Sequence, residues 1–328
     1  IYVEVEAGQG FYTWIDYNDN GIQEFDEFEV AEYQDQANFL RVPLPNLQFI
    51  ATQSAKINQS ITLNANQWSN KTGLKKVLSH FYNQFFLSSR NELERARNSF
   101  NLNPFNMSKD KQISVNFTIK NSLYFNRGLQ NFSTTYTYAK AENKQQYSIG
   151  SQDTDTNYQQ IDFQHKIGKF WLVDLQGKLS ENKLETENFN NRNYEIDVIA
   201  FQPKISYVLN NDNRFAAFYH MKNKENTLAE FEKLKQQKIG IEYFYTGKST
   251  SQFNANFTTF FNDFSGNPNS PVGYQMLEGL QEGTNYTWTF LWNKKLNSFL
   301  NVNLNYKGRK SLNSKTIHTG TINLKAVF

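Results

Sequence analysis

Apolar and polar residues alternate one by one along most of this chain. Between Phe299 and Tyr306, every second residue is apolar or aromatic, namely Leu300, Val302, Leu304 and Tyr306, and asparagines fill the positions between them. Successive residues of a β-strand point to opposite faces of the sheet. The pattern therefore predicts a strand with one apolar face and one face of amides, which is rare in the core of a water-soluble protein.

The same alternation recurs along the chain and predicts an all-β protein. Counting back from the carboxyl terminus, we predict strands near residues 316–328, 298–308, 283–294, 250–262, 236–247, 213–223, 197–209, 170–180, 157–168, 131–141, 111–121, 77–87 and 56–66. One more strand near residues 38–52 would bring the total to about 14, within limits of roughly 12 to 16, and bacterial barrels usually have an even number.

The connections between these strands differ in length in a regular way. Tight turns are predicted near residues 168–169, 210–213 and 294–297, and long polar loops around 181–195, 221–236 and 263–283. Trp171 and Trp292 stand beside turns, where aromatic rings suit the level of the lipid headgroups. These features favour a transmembrane antiparallel β-barrel, with short periplasmic turns and long extracellular loops, over a soluble β-sandwich or jelly roll.

A closed barrel suits lipid because it leaves no strand edge and no backbone N–H or C=O without a partner. The composition agrees, since aromatic residues make up 16% of a chain whose mean hydropathy is −0.69. The final run from Ile322 to Phe328 alternates to the last residue and resembles the terminal signal that barrel-assembly machinery reads. We therefore place the chain in the outer membrane of a Gram-negative bacterium, in contact with its lipid.

Composition also removes several classes of function. Cysteine is absent, so disulfide frameworks and thiolate chemistry are excluded. The formal net charge of +3 comes from 34 basic and 31 acidic residues mixed along the chain, so no nucleic-acid partner is expected. The charged stretch from Met221 to Gln236 is interpreted as a solvated face of mixed charge.

The first 36 residues depart from the alternating pattern. Gly8, Gly10 and Gly21 and a dense acidic run interrupt it, whereas Ile1 to Val5 alternate like the tail of an upstream strand. We therefore divide the chain into an acidic segment with the end of an upstream strand (residues 1–36) and a barrel (residues 37–328). Because an outer-membrane protein is exported, Ile1 is not expected to be the natural start.

The acidic segment contains a motif that could bind a metal. Twelve positions from Asp16 to Glu27 match a calcium loop, with Gly21 at the sharp turn and Gln23 where an EF-hand prefers Ile. The predicted Ca²⁺ ligands are Asp16, Asn18, Asn20, the carbonyl of Ile22, Glu24 and Glu27. No helix pair is evident around the loop, so we expect a lone, dockerin-like site that stiffens the loop; the alternative is a solvated acidic turn.

Enzymatic activity is not expected. The histidines are His80, His165, His220 and His318, and none lies in a recognisable nucleophile motif. His165 falls on the apolar parity of its strand, and His220 and His318 lie near predicted extracellular strand ends. A barrel hydrolase would need one of these last two as its base.

Residues Gly8 to Asn18, Glu27 to Glu29 and Asp35 to Ala37 together resemble a segment of large outer-membrane proteins of Bacteroidota. In those proteins the segment precedes a C-terminal barrel, and most of them have no assigned activity. The resemblance covers roughly the first 45 residues, and beyond them only the alternation is shared. It implies the location and architecture of the protein more than its function.

Two functions fit these expectations. The first is a non-enzymatic barrel that acts as a subunit of a multi-protein outer-membrane assembly, in export, uptake or barrel biogenesis, with other outer-membrane or periplasmic proteins as partners. The alternative is a self-contained pore for small polar solutes, for which a lumen face of Asn, Ser and Thr is suitable.

Overall fold

The computed structural model describes residues 1–43, 50–95, 112–128, 131–147, 149–247, 251–297, 299–312 and 314–326. A small sheet comes first in the chain. Its strands are β1 (Tyr2–Glu4), β2 (Tyr12–Trp14), β3 (Phe28–Val30) and β4 (Phe39–Arg41), in the spatial order β1-β4-β2-β3. The rings of Phe28 and Phe39 are buried in its core, 5.1 Å apart.

Thirteen strands of the described residues form one large antiparallel sheet. They are β5 (Thr52–Asn64), β6 (Phe81–Glu94), β7 (Gln112–Phe125), β8 (Phe132–Tyr147), β9 (Gly150–Ile167), β10 (Trp171–Thr186), β11 (Tyr194–Val208), β12 (Asn213–Asn226), β13 (Lys233–Gly247), β14 (Ser251–Ser265), β15 (Gly283–Lys295), β16 (Leu300–Ser311) and β17 (Ile317–Ala326). Each strand pairs with the next in sequence from β5 to β17. Two short helices, α1 (Leu74–Leu78) and α2 (Pro271–Leu277), lie in connections. Within the described residues, no helix has both the length and the apolar character needed to cross a membrane.

The outer face of the sheet carries an apolar band of limited height. On β10 and β11, the pair Trp171 and Tyr207 begins the band and the pair Leu179 and Ile199 ends it. Trp171, Leu179 and Ile199 are about half exposed on this face. The next outward pair is acidic, Glu181 with Asp197. A tilted strand crosses the hydrocarbon core in about 9 to 11 residues, and the stretch from Trp171 to Leu179 has that length.

The large sheet curves around the small one. Asp35 pairs with Arg309 of β16, and the Arg41 guanidinium lies 4.4 Å above the ring of Tyr147 at the end of β8. In a flat sheet, β8 and β16 would stand about 38 Å apart, since neighbouring strands are about 4.8 Å apart. Two residues so near in sequence could not reach both strands across that distance, so the sheet has a concave inner face that holds the small sheet.

The connections separate into two ends, which we name by their contents. Among the connections that the structure describes in full, the turn end has 65–80, 168–170 and 209–212, and the loop end has 187–193, 227–232 and 266–282. The chain after Lys295 also enters a connection at the turn end. The predicted tight turns near 168–169, 210–213 and 294–297 all fall at the turn end, within a few residues of their predicted places. The contrast in loop length is weaker than predicted, because β10 to β13 extend into the segments 181–195 and 221–236. Which end faces the outside of the cell stays a prediction.

All thirteen strands predicted from residue 56 onward exist, with shifted ends. The strand predicted at 77–87 begins only at Phe81, because Val77 belongs to α1. The fourteenth strand, predicted at 38–52, is wrong: Phe39–Arg41 pair with β1 in the small sheet, residues 44–49 lie outside the described residues, and β5 starts at Thr52. The small sheet thus extends past the predicted division at residue 36.

Candidate functional site

Helix α2 covers part of the inner face at the loop end. Ser270 starts it as an N-cap, since its hydroxyl accepts a hydrogen bond from the Gly273 N–H at 3.0 Å, and Pro271 occupies the first turn. The apolar side of the helix packs on inward residues of three strands, β11, β13 and β14. This buried cluster consists of Val272, Met276 and Leu277 of the helix with Ile196, Val198, Leu234 and Phe264 of the sheet.

Three lysines of the inner face converge on the residue that follows α2. The Nζ atoms of Lys222 and Lys224 lie 2.7 and 2.9 Å from Oε1 of Glu278, and Nζ of Lys238 lies 3.6 Å from Oε2. Lys224 also donates to the Met276 carbonyl at 2.8 Å. We call Lys222, Lys224 and Lys238 the lysine cluster. The interpretation of residues 221–236 as a solvated face is wrong for Lys222 and Lys224, whose side chains are only 17% and 10% exposed.

The lysine cluster determines the charge of Glu278. Burial on its own would raise the pKa of this carboxyl, but the ammonium groups of Lys224, Lys222 and Lys238 outweigh burial and hold the pKa well below its ordinary value. Glu278 is therefore ionised at any physiological pH. A carboxylate is held among three cations at the edge of the lumen.

The small sheet is bound to the loop end through Arg192, which lies in the connection between β10 and β11. Its guanidinium donates to the carbonyls of Asp26 and Phe28 at 3.2 and 3.1 Å and forms an ion pair with Glu29 at 2.7 Å. Asn191 adds a hydrogen bond to the Asp26 carboxylate at 2.8 Å. One short loop thus holds the acidic segment at the start of β3.

Two further contacts fix the small sheet from other directions. The guanidinium of Arg309 donates to both carboxylate oxygens of Asp35, with one distance of 2.7 Å, and stacks 4.1 Å above the ring of Tyr33. From α2, the hydroxyl of Tyr274 accepts a hydrogen bond from the Glu32 N–H at 3.1 Å. We call α2 and the small sheet together the cap, because both lie against the inner face at the loop end.

A cavity of about 620 Å³ lies between the cap and strands β9 to β12. The cap lines it with Val30, Glu32, Tyr274, Gln275 and Glu278, and the sheet lines it with Gln160, Gln176, Lys178, Ser180, Asn182, Tyr194, Ile196, Val198, Ala200, His220, Lys222 and Lys224. The volume falls within the range of small-molecule sites, which is about 300 to 1,000 Å³. Basic side chains outnumber acidic ones in this lining.

The predicted calcium ligands are divided between two places. The side chains of Asp16, Asn18 and Asn20 accept hydrogen bonds from the backbone N–H groups of residues 20 to 22, and Glu24 accepts from the Asn18 amide at 2.7 Å. Glu27 is buried and accepts hydrogen bonds from the Trp14 indole at 2.8 Å and the Tyr17 N–H at 3.2 Å. Ile22 lies in the first of these places, where its N–H donates to Oδ1 of Asn20 at 2.6 Å.

The donor types in this loop suit a hard cation, although the carboxylates do not converge as they stand. Among the residues that the structure describes, no three Asp, Glu, His or Cys side chains are grouped closely enough to hold a metal ion. The expected ligand set combines three carboxylates with amide and carbonyl oxygens, so Ca²⁺ binding stays a prediction that requires Glu24 or Glu27 to turn toward Asp16.

The histidines lie far from one another in the fold. His80 contacts Asn126 and His318 contacts the hydroxyl of Tyr306, each through Nδ1 at 2.7 to 2.8 Å, while His220 lines the cavity under the cap. Among these contacts there is no serine or acidic partner that would make a histidine a general base. The prediction that the chain is not an enzyme stays a prediction.

No protein-family model matches the chain, and no curated protein matches it significantly in sequence. Among solved structures it is similar to the open form of the ferric-catecholate import receptor Fiu from E. coli K12, with a TM-score of 0.50 and 10% identity. That match covers 96% of this chain and 62% of Fiu, so the chain spans less than two thirds of that receptor. OmpT of Vibrio cholerae has a TM-score of 0.36 and 7% identity over 80% of this chain and 86% of OmpT. The translocator domain of the autotransporter NalP from Neisseria meningitidis has a TM-score of 0.29 and 9% identity, over 87% and 91% of the two chains.

These findings define the class of the protein. The chain is an all-β, antiparallel outer-membrane β-barrel, and it resides in the bacterial outer membrane. The predicted fold class and location are confirmed. The apolar outer face described above is therefore the face toward lipid, and the inner face lines the lumen.

Proposed function

We propose that this chain is a non-enzymatic barrel that acts as a subunit of a multi-protein outer-membrane assembly, in export, uptake or barrel biogenesis, and that its lumen stays capped until a partner moves the cap. One observation carries the proposal: the cap is bound to the lumen wall at three separate places, through Arg192, Arg309 and the lysine cluster.

The strength of these contacts argues against spontaneous opening. Val272, Met276 and Leu277 are buried between α2 and the wall, and their burial contributes on the order of 5 kcal/mol. At about 1.4 kcal/mol per factor of ten, α2 would leave the wall in roughly one molecule in several thousand. A barrel with so few open molecules needs an agent that binds the open state, and a partner protein would supply that binding energy.

The second candidate, a pore for small polar solutes, is favoured by the polar inner face. Gln160, Gln176, Ser180 and Asn182 line the cavity under the cap, and such side chains suit the passage of hydrated solutes. A pore would have to conduct with its cap in place or lose the cap easily.

Conductance in a planar bilayer separates the two functions. We expect the purified chain to be electrically silent, and the double variant Arg192→Gln with Arg309→Gln to show open steps, because both anchors of the small sheet are removed. Lys310→Gln is the matched control, since Lys310 neighbours Arg309 and is exposed. Steady current through the unmodified chain would contradict the capped barrel and support the pore.

Partners are tested by purification from the native membrane in mild detergent. We expect the chain to migrate in a stoichiometric complex with outer-membrane or periplasmic proteins that survives cross-linking and a second purification step. Recovery of the chain alone, at the mass of the single polypeptide after cross-linking in intact cells, would contradict the role as a subunit.

We also propose that the loop from Asp16 to Glu27 binds Ca²⁺ as a structural ion. Support comes from the ordered turn, in which three side-chain oxygens already face one set of backbone N–H groups, and from the acidic residues that end the loop. Stiffening this loop would strengthen the contact between Arg192 and the acidic segment, since Arg192 contacts Asp26 inside the loop and Glu29 two residues after it.

A further inference from the structure

The lysine cluster and Glu278 together have the form of an occupied anion site. We propose that the cluster binds the carboxylate or phosphate group of a solute that enters the lumen, that Glu278 occupies this site in the resting protein, and that the anion releases α2, one of the two parts of the cap, by displacing Glu278. This inference rests on the capped barrel proposed above and names the chemistry that would move the cap.

The first support is the number of cations. Three ammonium groups face one carboxylate in direct contact, at 2.7, 2.9 and 3.6 Å, and their side chains are 10% to 17% exposed. Holding lysines away from water costs free energy unless anions compensate. Glu278 balances one of the three charges and Glu32, which lines the same cavity, can balance a second. A phosphate in place of Glu278 would balance more.

The second support is the position of Glu278 itself. It follows the last turn of α2 with a φ of 56°, in the left-handed region that glycine usually fills at this position. A side chain there brings its Cβ too close to the backbone, which strains this position. A negative charge is also disfavoured at the carboxyl end of a helix. Both effects weaken the binding of Glu278 to the lysine cluster, so a competing anion displaces it more easily.

The third support is access. The cavity under the cap reaches Lys222, Lys224 and Glu278, and it also exposes Lys178 and His220 to the same space. A solute in this cavity can therefore approach the cluster beside Glu278. Lys224 links the site to the helix, because the same Nζ atom holds both Glu278 and the carbonyl of Met276. Recruiting this ammonium to a solute would remove two contacts of α2 at once.

A structural role for the cluster predicts a different behaviour. If the lysines only fasten α2, added anions would leave the helix unchanged, and removing the carboxylate would create no new binding. If the cluster is an anion site, Glu278 is a competitor. Replacing it would then raise the affinity for anions.

Calorimetry on the full chain in detergent tests the inference, with inorganic phosphate and citrate as probes and sucrose as the uncharged comparison. We expect Glu278→Gln to bind the anions at least tenfold more tightly than the unmodified chain, and the double variant Lys222→Gln with Lys224→Gln to bind them at least tenfold more weakly. Lys233→Gln, whose ammonium pairs with Glu225 on an exposed site, should bind as the unmodified chain does. Equal affinities in all four proteins would overturn the proposal.

Hydrogen exchange on the unmodified chain makes the test independent of how the variants fold. Phosphate or citrate should speed the exchange of the α2 amides several-fold, whereas sucrose should not. Anion binding without this change would overturn the displacement of Glu278. Anion affinity and hydrogen exchange are measured separately from conductance and co-purification. If anions neither bind nor change the exchange of α2, the anion site is wrong but the capped barrel is not contradicted. If the resting barrel conducts, the capped barrel is contradicted, and the anion affinities still test the site.

Discussion

Glu29 is the residue at which the small sheet is most sensitive to its surroundings. Burial raises the pKa of its carboxyl to about 7, even though Arg192 opposes this from 2.7 Å. Once the small sheet leaves the lumen wall, the carboxyl returns to water and to an ordinary pKa near 4.5. Docking of the small sheet is thereby coupled to the uptake of a proton.

The sign of this coupling gives a prediction. Between pH 4.5 and 7 the docked state holds a proton that the undocked state releases, so docking is strongest at low pH and weakens as the pH rises to about 7. The full change is at most roughly 3 kcal/mol, at about 1.4 kcal/mol per pH unit. Hydrogen exchange of the β1 to β4 amides, corrected for intrinsic rates, measures it. Glu29→Gln should flatten the profile, whereas Glu4→Gln, at an exposed position, should leave it as steep as before.

Asp16 decides whether the acidic loop binds calcium. Position one of such a loop supplies a charged ligand, whereas position four, Asp19, faces solvent. Asp16→Asn keeps an oxygen for the turn but removes the charge, so we expect calcium affinity to fall at least tenfold. Asp19→Asn removes the same charge from a residue outside the ligand set and should change affinity less than threefold. Calorimetry after chelator treatment measures both, and equal losses would mean that only the overall acidity of the loop matters.

At the scale of elements, the strands were predictable because the membrane imposes the alternation. Within the apolar band, as from Trp171 to Leu179, every second residue must suit lipid, and the pattern is visible in sequence. Above the band the ladder continues in water through residues such as Glu181 and Lys183, where either face accepts polar side chains. The strand ends at the loop end were therefore predicted too short. The backbone hydrogen bonds between strands continue beyond the point at which apolar and polar residues stop alternating.

Helix α2 carried a signal that was missed. Ser270 before Pro271 is a typical start of a helix, but the helix has only seven residues, too few to show a helical repeat of apolar positions. Its packing depends on Ile196 and Leu234, which come from strands distant in sequence.

A glycine in the sheet leaves room for an aromatic ring from the neighbouring strand to lie over it. A substitution at Gly308 tests this packing. A Cβ on Gly308 would lie 2.1 Å from the ring of Trp288, its partner on β15, whereas a Cβ on Gly320 of β17 would meet nothing closer than 3.9 Å. We expect Gly308→Ala to cost about 1 to 3 kcal/mol, because the ring must move. Gly320→Ala should cost less than about 0.5 kcal/mol. Urea unfolding in lipid vesicles, followed by tryptophan fluorescence, compares them, and equal midpoints would show that the ring has room elsewhere.

At the scale of the whole molecule, the cap and the lysine cluster could not be predicted, because they depend on contacts between distant parts of the chain. Lys222 and Glu278 are 56 positions apart, and Arg309 and Asp35 are 274 apart. Both pairs form only after the sheet has curved and brought its loop end together. The mixed charges of residues 221–236 indicate a solvated loop when taken alone. On β12, Lys222, Lys224 and Asn226 all point to the inner face. This can be recognised only once the strand is known to extend to Asn226.

The orientation of the sheet, with its apolar face toward lipid, leads to a prediction that concerns the whole barrel. Leu175 lies midway along the outward band of β10, and Glu181 lies on the same face just beyond it. An arginine at the middle of the bilayer costs about 2 to 4 kcal/mol, and near the interface about 0 to 1. Leu175→Arg should therefore reduce the free energy of unfolding from lipid vesicles by 2 kcal/mol or more, whereas Glu181→Arg should change it by less than about 1. Urea titration into the same vesicles measures both. If the two variants lost the same stability, the stretch from Trp171 to Leu179 would not mark the hydrocarbon core.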